Sequence, residues 1–584
     1  MHKTLFCDHY GSIQVTLNRG IPIEILKKDF DVIENFQRDI YENVFHFTES
    51  MEPFSSFSCD YYAVLVCDDE RTIDFESMLT VSKDFNKLYR SDLSSVKTLT
   101  TLSDATDHQV LVTPKHTLPK VSVPLRVGGE STKSVRDPFP DQSKALTYQD
   151  YFNAKDNVNI IDNDVIIPVK HLKMQLNSIN YIDYKTRKKS RSKPIELPQS
   201  LCCLYPLSYC LWRALCVIPS LMHKVEQYTA AQRFLAGLKE SSADNLQLSF
   251  TKMCLGQSGV EVEYDESVLE KVQCALVAAS ALEDQDNEIF EFYGDSVLKY
   301  AVNVNLFLDK PYFNEHSLNF FKSQLVNNEL LYKVGTARHL RDYLFYEKFE
   351  PSNYKAYLTA SRCGSSADND KHNNLKRISD VVESLIGALF TLDHGNLYWL
   401  ALLHWYGFRL EKFEQFLRAK QFSPPVALEL AEDFLPSYLT SDLPALVNRL
   451  GYQFKNRLLL VQALCHSSFP RRLNQWTDSN QRLEFIGDAV LEVIITSEIL
   501  RCNEVFSKKY DQGQMSDIRS VLVCTHTLAV VATRCNLHKH LKVLDLGTIR
   551  LIDKFVEQVG TMENDMHPFM KVCLIETYIF FSLQ

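Results

Sequence analysis

Glu288-Ile-Phe-Glu291-Phe-Tyr-Gly294-Asp295-Ser-Val-Leu298 is the stretch on which the reading turns. Its core, Glu291 to Leu298, returns as Glu484-Phe-Ile-Gly-Asp-Ala-Val-Leu491, identical at six of eight positions and 193 residues further on. Self-similarity at a fixed offset marks duplicated domains. The same offset carries Asp380-Val-Val-Glu383 onto Cys573-Leu-Ile-Glu576, whereas LVNNELL at 325 pairs with LVCTHTL at 522, so compensating insertions lie between. Each repeat holds a carboxylate pair at i,i+4 (Glu291/Asp295, Glu484/Asp488), and the first adds one at i,i+3 (Asp380/Glu383). On a helix both spacings put the acids on one face, where like charges repel. The apolar neighbours Phe290, Phe292, Val297 and Leu298 imply partial burial, which raises that cost. A divalent cation removes it. Oxygen-only donors suit Mg²⁺ or Mn²⁺, which can activate water against a phosphodiester and stabilise the leaving oxygen. A solvated acidic helix face is the plainer reading of any single pair; three pairs, two of them duplicated within an apolar pattern, favour the metal. Gly294 and Gly487 fall in mid-helix, where glycine costs about 1 kcal/mol, and so mark a close backbone approach.

Around this repeat, 584 residues suggest three or four domains at about 100–200 residues each. With 45% hydrophobic and 23% charged residues, Gly 18 and Pro 20, the chain is ordinary globular protein, neither collagenous nor low in complexity. The net charge of −10 does not mark a basic nucleic-acid binder, so local charge must decide. Fifteen Cys without CxxC pairs in register with His read as reduced thiols rather than disulfides or zinc ligands. The start, MHKTLFCDHY, has no apolar signal core, and a cytoplasmic protein is expected, with the nucleus as the second possibility. The most apolar stretch, Leu201 to Met222, is broken by Pro206, Arg213 and Pro219 and falls short of the roughly 18 residues that span a bilayer, so no membrane segment is expected.

Along the chain, residues 11–17 read as a strand, and Phe30, Ile33, Phe36, Ile40, Val44 and Phe47 as one helical face. Short β-type runs follow (YYAVLV, QVLVTP, VSVPLRV, DVIIPV), separated by turn-rich pieces. Residues 185–193 (KTRKKSRSK) hold six basic side chains, fit either to touch phosphates or to serve as a solvated linker or nuclear-localisation run. After Leu201 come long amphipathic patterns at Trp212–Leu238, Ser267–Leu282, Glu288–Phe307, Ser317–Val334 and Arg377–Leu392, resuming at Leu443 after a linker at Asp433–Asp442.

The two copies, Glu288 to Tyr300 and Gln481 to Leu491, resemble the signature of the ribonuclease III family, and Asp380 to Ala388 resembles its second acidic motif. Two such domains in one chain resemble the Dicer branch. Leu211-Trp-Arg213 with Ile218-Pro-Ser220 is similar to the helix leading from the PAZ domain into the first nuclease domain, and Thr147 to Phe152 to the PAZ segment that receives an RNA 3′ end. Residues 1–100 resemble the platform before PAZ. The resemblance implies a multidomain chain. An α+β platform (1–100) and a PAZ-like small β domain (101–185) precede a basic linker and connector helix (186–240). Two all-α ribonuclease III domains follow, at 241–425 and, C-terminally truncated, at 435–584, paired as an intramolecular pseudo-dimer in a monomer. It implies an endoribonuclease that cuts double-stranded RNA into short duplexes by two-metal hydrolysis with Mg²⁺ or Mn²⁺, PAZ serving as anchor and ruler. Carried over residue by residue, Glu291, Asp295, Asp380 and Glu383 form the first site, Glu484, Asp488 and Glu576 the second, and Glu288 stands just outside. RNA contacts fall to Tyr151, Phe152, His171, Lys185, Arg187, Lys188, Lys189 and Lys376; core packing is the alternative for the aromatics. Larger members carry a helicase and a C-terminal double-stranded-RNA-binding domain, not read here, so helper proteins of those kinds are expected partners.

The second copy departs from the pattern: Cys573 stands where the first has Asp380, and Phe569 where it has Lys376. A thiol is a soft, mostly protonated ligand that serves Mg²⁺ poorly, so the second site is expected to be slower than the first or inactive. The competing class is an RNA-binding or nicking remnant. An unrelated helical scaffold would require the coincident offsets to be chance.

Overall fold

The computed structural model describes residues 2–7, 11–16, 24–46, 62–67, 72–90, 96–99, 109–128, 133–140, 146–156, 160, 163–174, 176–179, 195–241, 266–351, 371–392, 398–419, 440–454, 456–469, 479–505 and 510–561. They fall into two units: Met1–Thr229 with Ser280–Asp284 and Glu347–Ser365, and Ala230–Ala279 with Gln285–Tyr346 and Ser366–Gln584.

In the first unit β1 (His2–Cys7) and β2 (Gly11–Thr16) form an antiparallel hairpin. Helices α1 (Lys27–Asn43) and α2 (Phe75–Arg90) follow. Ile33, Phe36 and Ile40 of α1 bury against Met78, Val81 and Phe85 of α2, as the three-four spacing predicts. A five-stranded antiparallel sheet in the order β6-β5-β4-β3-β7 is built from β3 (Leu111–Pro114), β4 (Leu125–Val127), β5 (Ile166–His171), β6 (Ile195–Pro198) and β7 (Cys202–Leu204). Helix α3 (Tyr148–Asp156) covers it, burying Tyr148 and Phe152 with Val127, Ile167 and Val169.

The expectation of small strands holds, with two corrections. The described part of YYAVLV joins no ladder, Val66 making only an isolated bridge to Ile73. And β6 and β7 lie in the stretch read as linker, so the sheet runs on to Leu204; strands of three or four residues are too short for alternation to reveal. Helix α4 (Tyr209–Ser241) contains the Leu211–Ser220 motif. His223 and Gln227 on α4 lie 2.9 and 2.7 Å from the fully buried Glu283 carboxylate, with Lys224 also on it. Burial would raise the Glu283 pKa, but the His223 hydrogen bond and the Lys224 charge outweigh it and hold it down to about 2.

The second unit is helical and doubled. The first repeat comprises α5 (Glu266–Ala275), α6 (Glu288–Asp309), α7 (Glu315–Leu325), α8 (Asn328–Ala337), α9 (Lys371–Thr391), α10 (Tyr398–Tyr406) and α11 (Glu411–Ala419). The second comprises α12 (Leu443–Leu450), α13 (Arg457–Leu464), α14 (Gln481–Val505), α15 (Gln512–Val523), α16 (Thr525–Arg534) and α17 (Leu546–Thr561). The run Ser317–Val334, expected as one helix, is two, because the Asn327 side chain accepts the Leu330 N–H at 2.8 Å and starts a new N-terminus. Single parallel bridges, Val277 to Phe345 and Cys465 to Lys542, recur in the two repeats. In each, the bridging residue's carbonyl accepts an Asn N–H at 2.8 Å, from Asn287 and from Asn480, at the entrance to α6 and α14.

Inside the first repeat α6 crosses α9 at two glycines. A Cβ on Gly294 would overlap the Glu383 carbonyl, and one on Gly387 the Phe290 carbonyl. Between the repeats α6 packs along α14. Phe292 buries among Ile495, Ile499, Met515 and Leu522; Tyr293 and Ser497 share a 2.8 Å hydrogen bond. Arg482 donates at 3.1 Å to the carbonyls of Phe307 and Lys310, and to that of Phe313, at the C-terminal end of α6 and the turn that follows it. Among the described residues no single helix is long and apolar enough to cross a membrane.

The crossing gives a stability prediction. Gly294→Ala and Gly387→Ala should each cost about 3 kcal/mol or more, because backbone rather than a side-chain tip stands in the way. Gly237→Ala, in a helix with nothing within 4 Å of the added methyl, should instead stabilise by up to about 1 kcal/mol. Chemical-denaturation midpoints of the three variants check the contrast.

Candidate metal centre

The carboxylates expected at the first site sit on either side of the glycine crossing, Glu291 and Asp295 on α6, Asp380 and Glu383 on α9. Carboxylate oxygens of Glu291, Asp380 and Glu383 lie within 4.8 Å of one another. Val381, Val382, Leu385 and Ile386 of α9 are buried, so this helix is a core element whose acids are its polar exception, and Glu383 itself is only 8% exposed. Asp295, the fourth expected member, stands outside this trio. Its Oδ2 is 2.7 Å from Lys299 Nζ and 3.7 Å from Arg519, cations that the one-face argument did not include.

Crowding three acids in a half-buried site pushes their protons on. Burial first, then the Asp380 charge, raises Glu291 to about 7. Burial raises Asp380 to about 6 against the opposing Lys376 charge. Glu383 is driven well above the carboxylate range by burial and then by Asp295, Glu291 and Asp380. Glu288 is raised by burial and then by Asp286 and Asp511, which fits a place beside the trio rather than in it. Lys376 is exposed and acts as the counter-charge to Glu288, Glu291 and Asp380. Three carboxylates with no nitrogen or sulfur donor fit a hard divalent cation such as Mg²⁺ or Mn²⁺.

On α14, Glu484 and Asp488 are exposed, so the second pair is more open than the first. Burial and then Glu315 of α7 raise Glu484; burial, against Lys322, raises Asp488. Glu576, Cys573 and Phe569 lie outside the described residues, and among those described the first site alone gathers three metal-ready acids. The close approach expected at the two glycines is found at Gly294; Gly487 meets nothing within 4 Å among the described residues, and positions 576 and 580, which the offset sets against it, lie outside them.

Of the expected RNA contacts, Tyr151 is half-buried and stacked on Phe139 at 3.9 Å. Phe152 is 5% exposed and belongs to the sheet core, which corrects its assignment as an RNA-facing ring. His171 is exposed at the end of β5. Lys185, Arg187, Lys188 and Lys189 lie outside the described residues.

Sequence reasoning missed the groups that each repeat sends to the other's acids: Gln512, hydrogen-bonded to Glu291; Arg519 beside Asp295; Glu315 and Lys322 toward Asp488. The pairing of 325 with 522 held the signal, since the same shift aligns Glu315 with Gln512 and Lys322 with Arg519.

The Ribonuclease III domain model matches residues 288–394, and the Ribonuclease-III-like model residues 456–554. The chain is 31% identical over 375 residues to Endoribonuclease Dicer homolog 4 of Oryza sativa subsp. japonica, covering 59% of this chain and 20% of that protein. It is 29% identical over 414 residues to Endoribonuclease Dicer homolog 2 of Arabidopsis thaliana, covering 68% of this chain and 26% of that protein. It thus spans a fifth to about a quarter of these relatives' length. The crystal structure of Dicer from Giardia intestinalis superposes with a TM-score of 0.37 at 13% identity, over 98% of this chain and 91% of that one.

The raised acids fix a pH dependence. In the unfolded chain Glu and Asp titrate near 4.5 and 3.8, but here Glu291 and Asp380 titrate at about 7 and about 6. Through that window the folded state binds more protons, so without metal its stability should fall as pH rises from about 4 to about 7. Mg²⁺ or Mn²⁺ should reverse the fall, and Glu291→Gln should reduce it. Denaturation midpoints with EDTA or MgCl₂ on either side of the window test this; a midpoint that rises with pH in EDTA contradicts it.

Proposed function

The chain is a Dicer-like protein of the ribonuclease III family, carrying two ribonuclease III domains, and from that premise we propose that it cuts double-stranded RNA by metal-dependent phosphodiester hydrolysis. The observation that carries this reading is the convergence of Glu291, Asp380 and Glu383 at a backbone crossing inside the first matched domain. With Asp295 they would hold Mg²⁺ or Mn²⁺. Bound there, such ions supply an activated water and stabilise the leaving oxygen. The chain's own part is to fix ligand geometry and to release the protons that Glu291 and Glu383 carry near neutrality. Lys376, exposed beside the acids, is suited to receive a phosphate of the substrate, and Glu288 to orient the neighbouring groups.

The packing of α6 on α14 supports an intramolecular pseudo-dimer, in which each domain faces one strand of the duplex. Glu484, Asp488 and Glu576 would serve the second strand, more slowly, because Cys573 replaces a carboxylate. In the first unit Tyr151, with His171 and the 185–193 basic run, would anchor an RNA 3′ end in a PAZ-like manner. The net charge of −10 leaves RNA affinity modest and salt-dependent, for a double-stranded-RNA-binding or helicase partner to supplement.

A strand-resolved assay on end-labelled double-stranded RNA with Mg²⁺ tests the proposal. Glu383→Gln should lower one strand's cut by about a thousandfold or more, leaving the other, and Asp488→Asn should remove the weaker cut. Bound but uncut RNA with the native chain would sink the nuclease reading and favour an RNA-binding remnant.

A further inference from the structure

Where the two repeats meet, four charged side chains close a square. Lys299 Nζ lies 2.7 Å from Asp295 Oδ2 and 3.3 Å from Glu492 Oε1. Arg519 completes it at 3.7 Å to the same Asp295 Oδ2 and 3.3 Å to the same Glu492 Oε1. Asp295 and Lys299 come from α6, Glu492 from α14 and Arg519 from α15. All four are between 16 and 25% exposed, and the Arg519 guanidinium lies 4.3 Å over the Phe292 ring. This is a braced, partly dry network rather than a solvated surface pair.

We infer that Arg519, on the second repeat, is a positioning residue of the first site: its charge, 3.7 Å from Asp295 Oδ2, draws that oxygen toward the second repeat and so orients this carboxylate to complete the cluster of Glu291, Asp380 and Glu383. The inference rests on reading that cluster as the metal site of a nuclease. The nearest approach of both cations is to Oδ2. Among the charges acting on Glu383, that of Asp295 is foremost, which puts Asp295 against the trio although outside its 4.8 Å circle. Lys299, one turn along the same helix, donates the hydrogen bond to Asp295 and is shared with Glu492. The Arg519 guanidinium, over the Phe292 ring and beside Glu492, brings a second positive charge to the same Asp295 oxygen from the other repeat. Gln512, from the same helix α15, hydrogen-bonds Glu291, so one element of the second repeat steadies both α6 carboxylates. The first site is therefore incomplete without the second repeat, whether or not the second repeat cuts. The arrangement is reciprocal: Lys322 of α7, the counterpart of Arg519, faces Asp488 and Glu492.

The test follows Mn²⁺ binding to the full chain without RNA, by the electron paramagnetic resonance of the free ion, alongside Mg²⁺-dependent strand-resolved cleavage. Arg519→Gln should weaken Mn²⁺ binding about tenfold and raise the Mg²⁺ needed for the first-site cut by a similar factor, leaving half-saturation by RNA unchanged. Arg519→Lys should stay within about threefold of the native chain, since lysine fills the corresponding place at 322. Arg519→Met, which keeps the packing over Phe292, should reproduce the loss of Arg519→Gln if the latter folds poorly. Unchanged Mn²⁺ binding in the glutamine and methionine variants overturns the inference. So does an equal loss in all three variants with lowered melting temperatures, the mark of a purely structural role. A native chain that neither binds Mn²⁺ nor cuts overturns the nuclease reading, and this inference with it; a native chain that does both beside insensitive variants overturns this inference alone.

Discussion

Two helices that touch backbone to backbone decide what the rest of the second unit must do. At the crossing of α6 and α9 the Glu383 carbonyl occupies the space of a Gly294 side chain, and the Phe290 carbonyl that of a Gly387 side chain. No other residue lets the axes come so close, and each helical glycine costs about 1 kcal/mol of propensity. Acids one turn from such a contact have nowhere to spread. Glu291, Asp380 and Glu383 are pressed together by the main chain, and burial denies them the water that would screen their repulsion. The buried face of α9, from Val381 to Leu389, supplies the apolar contact that offsets this strain.

The second repeat copies the frame of the first closely, down to the parallel bridge, the asparagine at the helix entrance and a left-handed residue after α8 and after α16, His339 in one and Asn536 in the other. Divergence gathers where the copies face each other. Lys299 and Glu492 occupy equivalent positions and meet, so two copies of the first repeat paired in the same way would set lysine against lysine. Arg482 ties α14 to the carbonyls ending α6, while its counterpart Ile289 is 43% exposed and returns no such bond. Duplication made the two faces alike; complementary charge and a one-sided arginine have since made them fit each other better than themselves.

Much of this was legible in residues whose spacing carries a physical constraint. The duplicated Glu-x-x-x-Asp pairs, the i,i+3 acids and the mid-helix glycine named the first site and the reason for its close approach. The helix periodicities named α1, α4, α6 and α9. Strands β6 and β7 escaped because three or four residues cannot display a period of two, and the Ser317–Val334 pattern ran through a break that a single asparagine cap decides. The partners of the acids escaped for a different reason. Lys299, Arg519 and Lys322 are ordinary charges on ordinary helices, and only the packing of one repeat against the other gives them a role. Phe152 shows the limit of transfer by motif: the same short helix offers one ring to the sheet and a neighbouring ring to its rim.

The electrostatics of the site also order the events around it. A phosphodiester is an anion, and so is a cluster of ionised carboxylates, so on the proposed reading RNA would need a countercharge to approach the trio. Lys376 is one such charge and is exposed, while Lys299 and Arg519 are already committed to Asp295 and Glu492. The protein's own cations therefore leave the trio short of neutrality, and near pH 7 the shortfall is met in part by the protons that Glu291 and Glu383 retain. A divalent ion that displaces those protons discharges the repulsion among the acids and the repulsion toward RNA together. The crowding that destabilises the cluster is thus the same energy that a bound cation would recover, and under the proposed function metal affinity, fold stability and substrate approach would all depend on one glycine crossing.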